Sequence, residues 1–245
     1  MKMESKKIIV IPSSQGCLGK NVGCEDGGIE VCSEANISYD IAKVSDSDFG
    51  ETTEMIEKLE GDVFVGGDHS ITYPLFKNSK ADGLIIFDAH ADCVNNFSPP
   101  THEDFVRVLI EEKIVSPDKI LIIGLRNVDP IEKEYLKDKK INHLYMNEIN
   151  DNLNKKINEF LQKLDNVYLS IDIDSLDGEK YVGTGYPEKD GFDLDQLKRF
   201  IKNIMKSGKV IRSDLVEINP SLDKNNLTVN AGSEILKVIL GNRNV

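Results

Sequence analysis

Asp88, His90 and Asp92 stand at every second position directly after an apolar run, Ile85-Ile86-Phe87. An extended chain sends alternate side chains to opposite faces, so these three are expected to point one way and Ala89 and Ala91 the other. Carboxylates resist burial unless something pairs with them, and a divalent cation supplies that pairing. The bland alternative is a solvated, acidic strand end. Residues 167–174 repeat the logic. Asp172 and Asp174 alternate with Ile171 and Ile173, giving one apolar face and one face whose two like charges need a counter-cation. His69 follows the apolar run 63–65 at the tip of Gly66-Gly67-Asp68, and Glu217 closes the last apolar run. A lone histidine after a turn is ordinarily structural; here it joins a set.

Two histidines and four aspartates are too many ligands for one tetrahedral zinc, and no thiolate is among them. Oxygen-rich ligation with some imidazole suits six-coordinate cations, manganese above all. Four carboxylates balance two divalent ions, the arithmetic of a two-metal site with the ions ~3.5–4 Å apart. Such a pair activates water toward a trigonal carbon.

The elements needed to hold these residues can be read from the spacing. Apolar runs at 8–12, 63–65, 84–87, 120–124, 143–146, 167–173 and 210–218 predict strands. Helical spacing covers 52–59, 71–79, 103–113, 130–137, 153–164, 194–207 and 234–240. Alternating strand and helix predicts an α/β fold, a parallel sheet covered on both faces, with residues 1–245 as a single domain. Ligands then bind at the carboxyl ends of the strands, where the candidate residues fall. The glycine-bearing stretch from Ser13 to Gly28 fits no phosphate-cradling spacing and reads as a flexible rim loop. Asp68 or Ser70 is expected to cap the next helix, and Asp177 to brace the turn after Asp174. Arg126 reads as available to a carboxylate or a neighbouring subunit, and His143 and Cys93 as packing residues.

Composition narrows the partners. The 245 residues are 40% hydrophobic and 29% charged, with a formal charge of −12. That excess speaks against nucleic acid and agrees with a cationic substrate. No apolar run approaches the ~20 residues that span a bilayer, and the first residues lack the apolar core of a signal peptide. Cys17, Cys24, Cys32 and Cys93 show no C-x-x-C spacing, which fits a reducing cytoplasm.

Gly66-Gly67-Asp68-His69-Ser70, Asp88-Ala89-His90-Ala91-Asp92 and Ser170-Ile171-Asp172-Ile173-Asp174-Ser175-Leu176-Asp177 resemble, in order, the three signature motifs of the ureohydrolases, the arginase/agmatinase family. The resemblance implies a three-layer α/β/α sandwich and two Mn2+ per chain. By it His69, Asp88, Asp92 and Asp172 hold one ion, and Asp88, His90, Asp172 and Asp174 the other. A metal-bridging hydroxide would attack a guanidinium carbon while Asp92 orients it and passes a proton to the leaving amine. His102 falls where the family carries a proton-shuttling histidine, and Glu217 matches the glutamate that pairs with the guanidinium. Ser98, Tyr186 and Glu217 are expected at the substrate, a small cationic guanidino or formimino compound. Homo-oligomers, trimers or hexamers, are also implied.

Four positions depart from the family pattern. Val94 replaces an asparagine that reads the amino-acid end of arginine, Tyr186 a threonine, Glu103 a glycine and Gly178 a proline. Residues 69–74 look like agmatinases, whereas Gly23-Cys24-Glu25-Asp26-Gly27 has an arginase or formimidoylglutamase flavour. The expectation is hydrolysis of agmatine to putrescine and urea. The alternatives are arginase or formimidoylglutamase activity, a one-zinc deacetylase-like amidohydrolase, or a catalytically weakened metal-binding relative.

Overall fold

The structure, a computed structural model, describes residues 6–19 and 23–241. Lys20, Asn21 and Val22 of the expected rim loop lie outside the described residues. Eight strands form one sheet: β1 (Ile8–Val10), β2 (Asp40–Ile41), β3 (Val63–Val65), β4 (Gly83–Phe87), β5 (Ile120–Leu125), β6 (Asn142–Tyr145), β7 (Val167–Asp172) and β8 (Val210–Val216). Their order is β2-β1-β3-β8-β7-β4-β5-β6, and all the pairings are parallel.

Both faces of the sheet are buried, which is why its strands read as continuous apolar runs. On β4, Ile85 and Phe87 join one core cluster and Leu84 and Ile86 the other. The first cluster is closed by α1 (Gly27–Ala35), α6 (Leu153–Leu161), α7 (Leu194–Lys206) and α8 (Leu227–Ile239). The second is closed by α2 (Phe49–Glu57), α3 (Thr72–Lys77), α4 (Phe105–Glu111) and α5 (Pro130–Lys139). Four helices on each face make the three-layer α/β/α sandwich.

Three local expectations are corrected. Gly27 and Gly28 begin α1 rather than ending a loop. A Cβ on Gly28 would meet the Val65 carbonyl oxygen at 2.4 Å, so these glycines let the helix lie against β3. The short strand β2 is exposed and has no apolar pattern to announce it. Helix α8 starts seven residues before the expected 234, because the Asp223 carboxylate accepts the Thr228 and Val229 amides at 2.9–3.0 Å.

Candidate metal centre and cavity

Strands β3, β8, β7 and β4 are neighbours, and their carboxyl ends bring the candidate residues together. The local geometry differs from the extended chain that the alternation implies. β4 stops at Phe87, and Asp88 to Asp92 follow through bends, with Asp92 at φ 51°. β7 stops at Asp172, and Ile173–Ser175 is a 3-10 turn. Each turn is pinned by its own aspartate. Asp88 accepts the His90 amide at 2.6 Å and Asp172 the Asp174 amide at 2.7 Å. After β3, Gly66 and Gly67 take φ of 86° and 85°, a region glycine enters without steric penalty. Asp68 then caps the His69–Ile71 turn by accepting the Ser70 amide at 2.9 Å.

These turns aim the six side chains at two adjoining points. His69 Nδ1 lies 3.0 Å from an oxygen of Asp88, 3.0 Å from one of Asp92 and 3.3 Å from one of Asp172. His90 Nδ1 lies 2.8 Å from Asp174 and 3.5 Å from Asp88. His69, Asp88 and Asp92 form one group able to hold a metal ion; Asp88, His90 and Asp174 form a second. Asp88 belongs to both, and Asp172 reaches the first through His69.

The electrostatics describe a site short of positive charge. Burial first, then neighbouring carboxylates, push Asp92, Asp172 and Asp174 above the usual carboxylate range. Burial opposes the charge on Asp88 too, but contacts with His69 and His90 pull it below that range. Both imidazoles are held well above their ordinary value by those carboxylates, against burial. His69 Nδ1 is buried with no hydrogen-bond partner of its own. An orphaned imidazole nitrogen facing three carboxylates, with all ligands nitrogen or oxygen, fits a pair of borderline or hard divalent cations.

The cluster floors a cavity of about 220 Å³. Above it, Glu217 is buried at φ 64°. Its Oε1 accepts the His69 amide at 2.7 Å and its Oε2 accepts the Cys24 thiol at 3.5 Å. His102 is also buried, with Nδ1 3.4 Å from Glu217 Oε1, and its Nε2 accepts the Leu18 amide at 3.1 Å. Burial disfavours the imidazolium, yet Glu217, Asp92 and Asp68 raise His102 to about 9. Tyr186 lines the cavity too, its ring 5.5 Å from that of His102 and its hydroxyl donating to the Leu18 carbonyl at 2.7 Å. Ser98, expected at the substrate, is exposed and is not among the lining residues.

Some contributors escaped the sequence reading. Glu132 is buried in the cavity wall, accepting the Cys93 and Asp129 amides at 3.0 Å. It is the far member of a capping box from Asp129, a spacing that could have disclosed it. Among the described residues Arg126 forms no ion pair with a carboxylate. It donates to the backbone carbonyls of Gly124, Asp174, Leu176, Glu188 and Lys189, tying the Asp174 turn to the 188–189 loop. Asp177 does brace its turn, accepting the Glu179 amide at 3.0 Å.

Residues 12–241 match the family model described as the arginase family. The chain belongs to the arginase family. Members of that family hydrolyse guanidino compounds, and its relatives are enzymes. The chain is 27% identical over 216 residues to an arginase of Bacillus subtilis (strain 168), covering 79% of this chain and 73% of that one. It is 29% identical over 205 residues to an agmatinase of Neisseria meningitidis serogroup C, covering 76% of this chain and 64% of that one. Among solved structures, the formimidoylglutamase of Bacillus subtilis superposes with a TM-score of 0.87 at 23% identity, over 96% of this chain and 85% of that one. At that identity the likeness speaks for the arginase-type fold alone.

Proposed function

We propose that this arginase-family protein is a manganese-dependent amidinohydrolase of a small guanidino compound carrying a second positive charge, with agmatine the best fit. The observation that carries the reading is the cavity wall. Beyond five of the six metal-ligand candidates and Glu217, it presents Glu103, Asp129 and Glu132, and no lysine or arginine among its described lining residues. Two divalent cations would neutralise Asp88, Asp92, Asp172 and Asp174, and the guanidinium would neutralise Glu217. Three carboxylates remain for the tail, which favours an ammonium and repels the carboxylate of arginine, guanidinobutyrate or formimidoylglutamate.

The six candidates would hold two Mn2+, which when bound supply a water activated near neutral pH. Glu217 faces the planar guanidinium, a bidentate charge-assisted match. Asp92 orients the attacking water and carries a proton to the leaving amine. His102, paired with Glu217, exchanges with solvent the separate proton released as each new water is activated. Tyr186 narrows the mouth and Val94 offers no polar contact to an amino-acid tail. The chain works as one domain, and we expect a cytoplasmic homo-oligomer.

Manganese-supplemented assays with agmatine, arginine, guanidinobutyrate and formimidoylglutamate test the reading. Agmatine is expected to give urea with the highest kcat/KM. Release of formamide from formimidoylglutamate would move the protein to that branch, and a metal content of one ion per chain would favour the deacetylase-like alternative. Turnover of none of the four would leave a metal-binding relative without this activity.

A further inference from the structure

Beneath the candidate metal ligands lies a second buried polar set that the proposed reaction does not use. Asp214, on β8, is wholly buried, and no lysine or arginine forms an ion pair with it among the described residues. Three hydroxyls donate to its carboxylate: Thr72 Oγ1 and Tyr168 OH to Oδ2, each at 2.7 Å, and Ser170 Oγ to Oδ1 at 2.6 Å. Ser170 and Asp214 are register partners on adjacent strands, and Ser170 precedes Asp172 by two residues on β7. The Ser170 oxygen lies 2.8 Å from Nε2 of His69.

Donor accounting gives this chain a direction. A hydroxyl has one proton. Since Ser170 gives its proton to Asp214, it can only accept from His69, so Nε2 carries the ring hydrogen. In the neutral ring that a metal ion requires, the other nitrogen, Nδ1, is then bare. That nitrogen is the orphaned one, buried and facing Asp88, Asp92 and Asp172. Without the carboxylate beneath it, the serine hydroxyl could rotate and donate to Nε2, which would move the ring hydrogen to Nδ1 and block ligation. His90 has no comparable support. Its Nε2 is 3.4 Å from Asn127 Nδ2 and 3.7 Å from Glu188, and its side chain is 24% exposed.

We propose that Asp214, acting through Ser170, is the positioning residue that makes His69 a metal ligand, by fixing its tautomer and the direction of its ring. The inference rests on the metal centre proposed above. Partners one layer behind a ligand typically carry 10–100-fold of metal affinity. Asp214→Asn keeps the shape but offers an amide donor to Ser170, which reverses the chain. Ser170→Ala removes the link. Thr72→Val takes one donor from Asp214 and a long 3.5 Å contact from Ser170, and keeps both hydrogen bonds of the Asp214–Ser170–His69 path.

The test is Mn2+ titration of the chelator-stripped full chain, read by calorimetry and by the loss of the free-ion electron paramagnetic resonance signal, with 15N shifts of the His69 ring. Once the pH is high enough to neutralise the ring, the metal-free wild type is expected to show the remaining hydrogen of His69 on Nε2. D214N and S170A should weaken one of the two ions by about 10–100-fold and change the tautomer, while T72V keeps both properties to within about threefold. Unchanged affinity and tautomer in S170A, or equal losses in T72V and D214N, would overturn the proposal. Should D214N fail to fold, S170A against T72V decides. If the wild type takes up no Mn2+, the reading of the metal centre fails by itself, and the ring shifts of the S170A protein still decide the role of the relay.

Discussion

His102 sits between two contacts that only its neutral ring satisfies together, Nδ1–H toward Glu217 and a bare Nε2 toward the Leu18 amide. The Leu18 amide points at Nε2 and needs a bare nitrogen there, while Glu217 beside Nδ1 raises the ring to about 9. A charge-assisted contact outweighs one amide-to-ring hydrogen bond, so the imidazolium prevails below that pH and the Leu18 contact forms above it. The raised folded value has a stability consequence for the metal-free protein. The contribution is fully present below the unfolded value of about 6.5 and is lost as pH rises through about 9. His102→Gln is therefore expected to destabilise by about 2–3 kcal/mol more at pH 6 than at pH 10. Urea unfolding at the two pH values measures it, and a pH-independent difference would contradict the pairing with Glu217. In the loaded enzyme, Glu217→Gln removes the charge facing the guanidinium and should lower kcat/KM by about 10²–10³-fold. Glu103→Gln thins the charge facing the tail and also removes a carboxylate 3.7 Å from His102 Nε2, so it should raise KM for agmatine several-fold and lower kcat far less than Glu217→Gln does. Steady-state kinetics separate the two cases.

The turn between β3 and His69 shows how much of the site depends on the ends of elements. Gly66 holds φ 86°, and a Cβ there would lie 2.7 Å from the Gly28 amide nitrogen, a backbone atom that cannot step aside. Gly208, before β8, has a similar φ of 70° with nothing within 4 Å of that position. Gly66→Ala is expected to cost about 2–4 kcal/mol through strain and clash together, against about 1 kcal/mol for Gly208→Ala through strain alone. Chemical denaturation gives both values. Gly66→Ala should also weaken Mn2+ binding, because His69 rides on that turn, whereas Gly208→Ala should not. Equal costs would mean that α1 can retreat from β3 freely, and the close approach would then not be what requires glycine.

Charge organises the molecule as a whole. The chain carries a formal −12, and a dense part of that excess lies at the carboxyl edge of the sheet, where burial and mutual repulsion act against it. Cations bound there relieve repulsion that exists only in the folded state, so metal and stability are coupled. Stripping with chelator is expected to lower Tm, and Mn2+ at 100 times its Kd to restore about 2.7 kcal/mol per site. A scanning calorimetry series across metal concentrations checks this, and an indifferent Tm would argue against an ion in the cluster. The same field should make kcat/KM for a dicationic guanidine fall as ionic strength rises, which a salt series would show.

Periodicity was enough for the parallel sheet, because strands buried on both faces must be apolar throughout, and seven of the eight strands announced themselves that way. The exposed pair Asp40 and Ile41 carried no such signal. Residue type was enough for the chemistry of the donor set, since two histidines and four aspartates close to apolar runs admit few other uses. Convergence was a different matter. Alternation along an extended chain predicts that Asp88, His90 and Asp92 share a face, but the strand ends before them, and bends bring them to two different points. Asp214, inside the apolar run 210–218, has no signal of its own in the sequence; the folded sheet sets Ser170 beside it and His69 beyond. A chain written in one dimension records which groups are present and how often they recur. Which groups face each other is decided by turns and by the order of strands in the sheet, and those follow from packing between segments far apart in sequence.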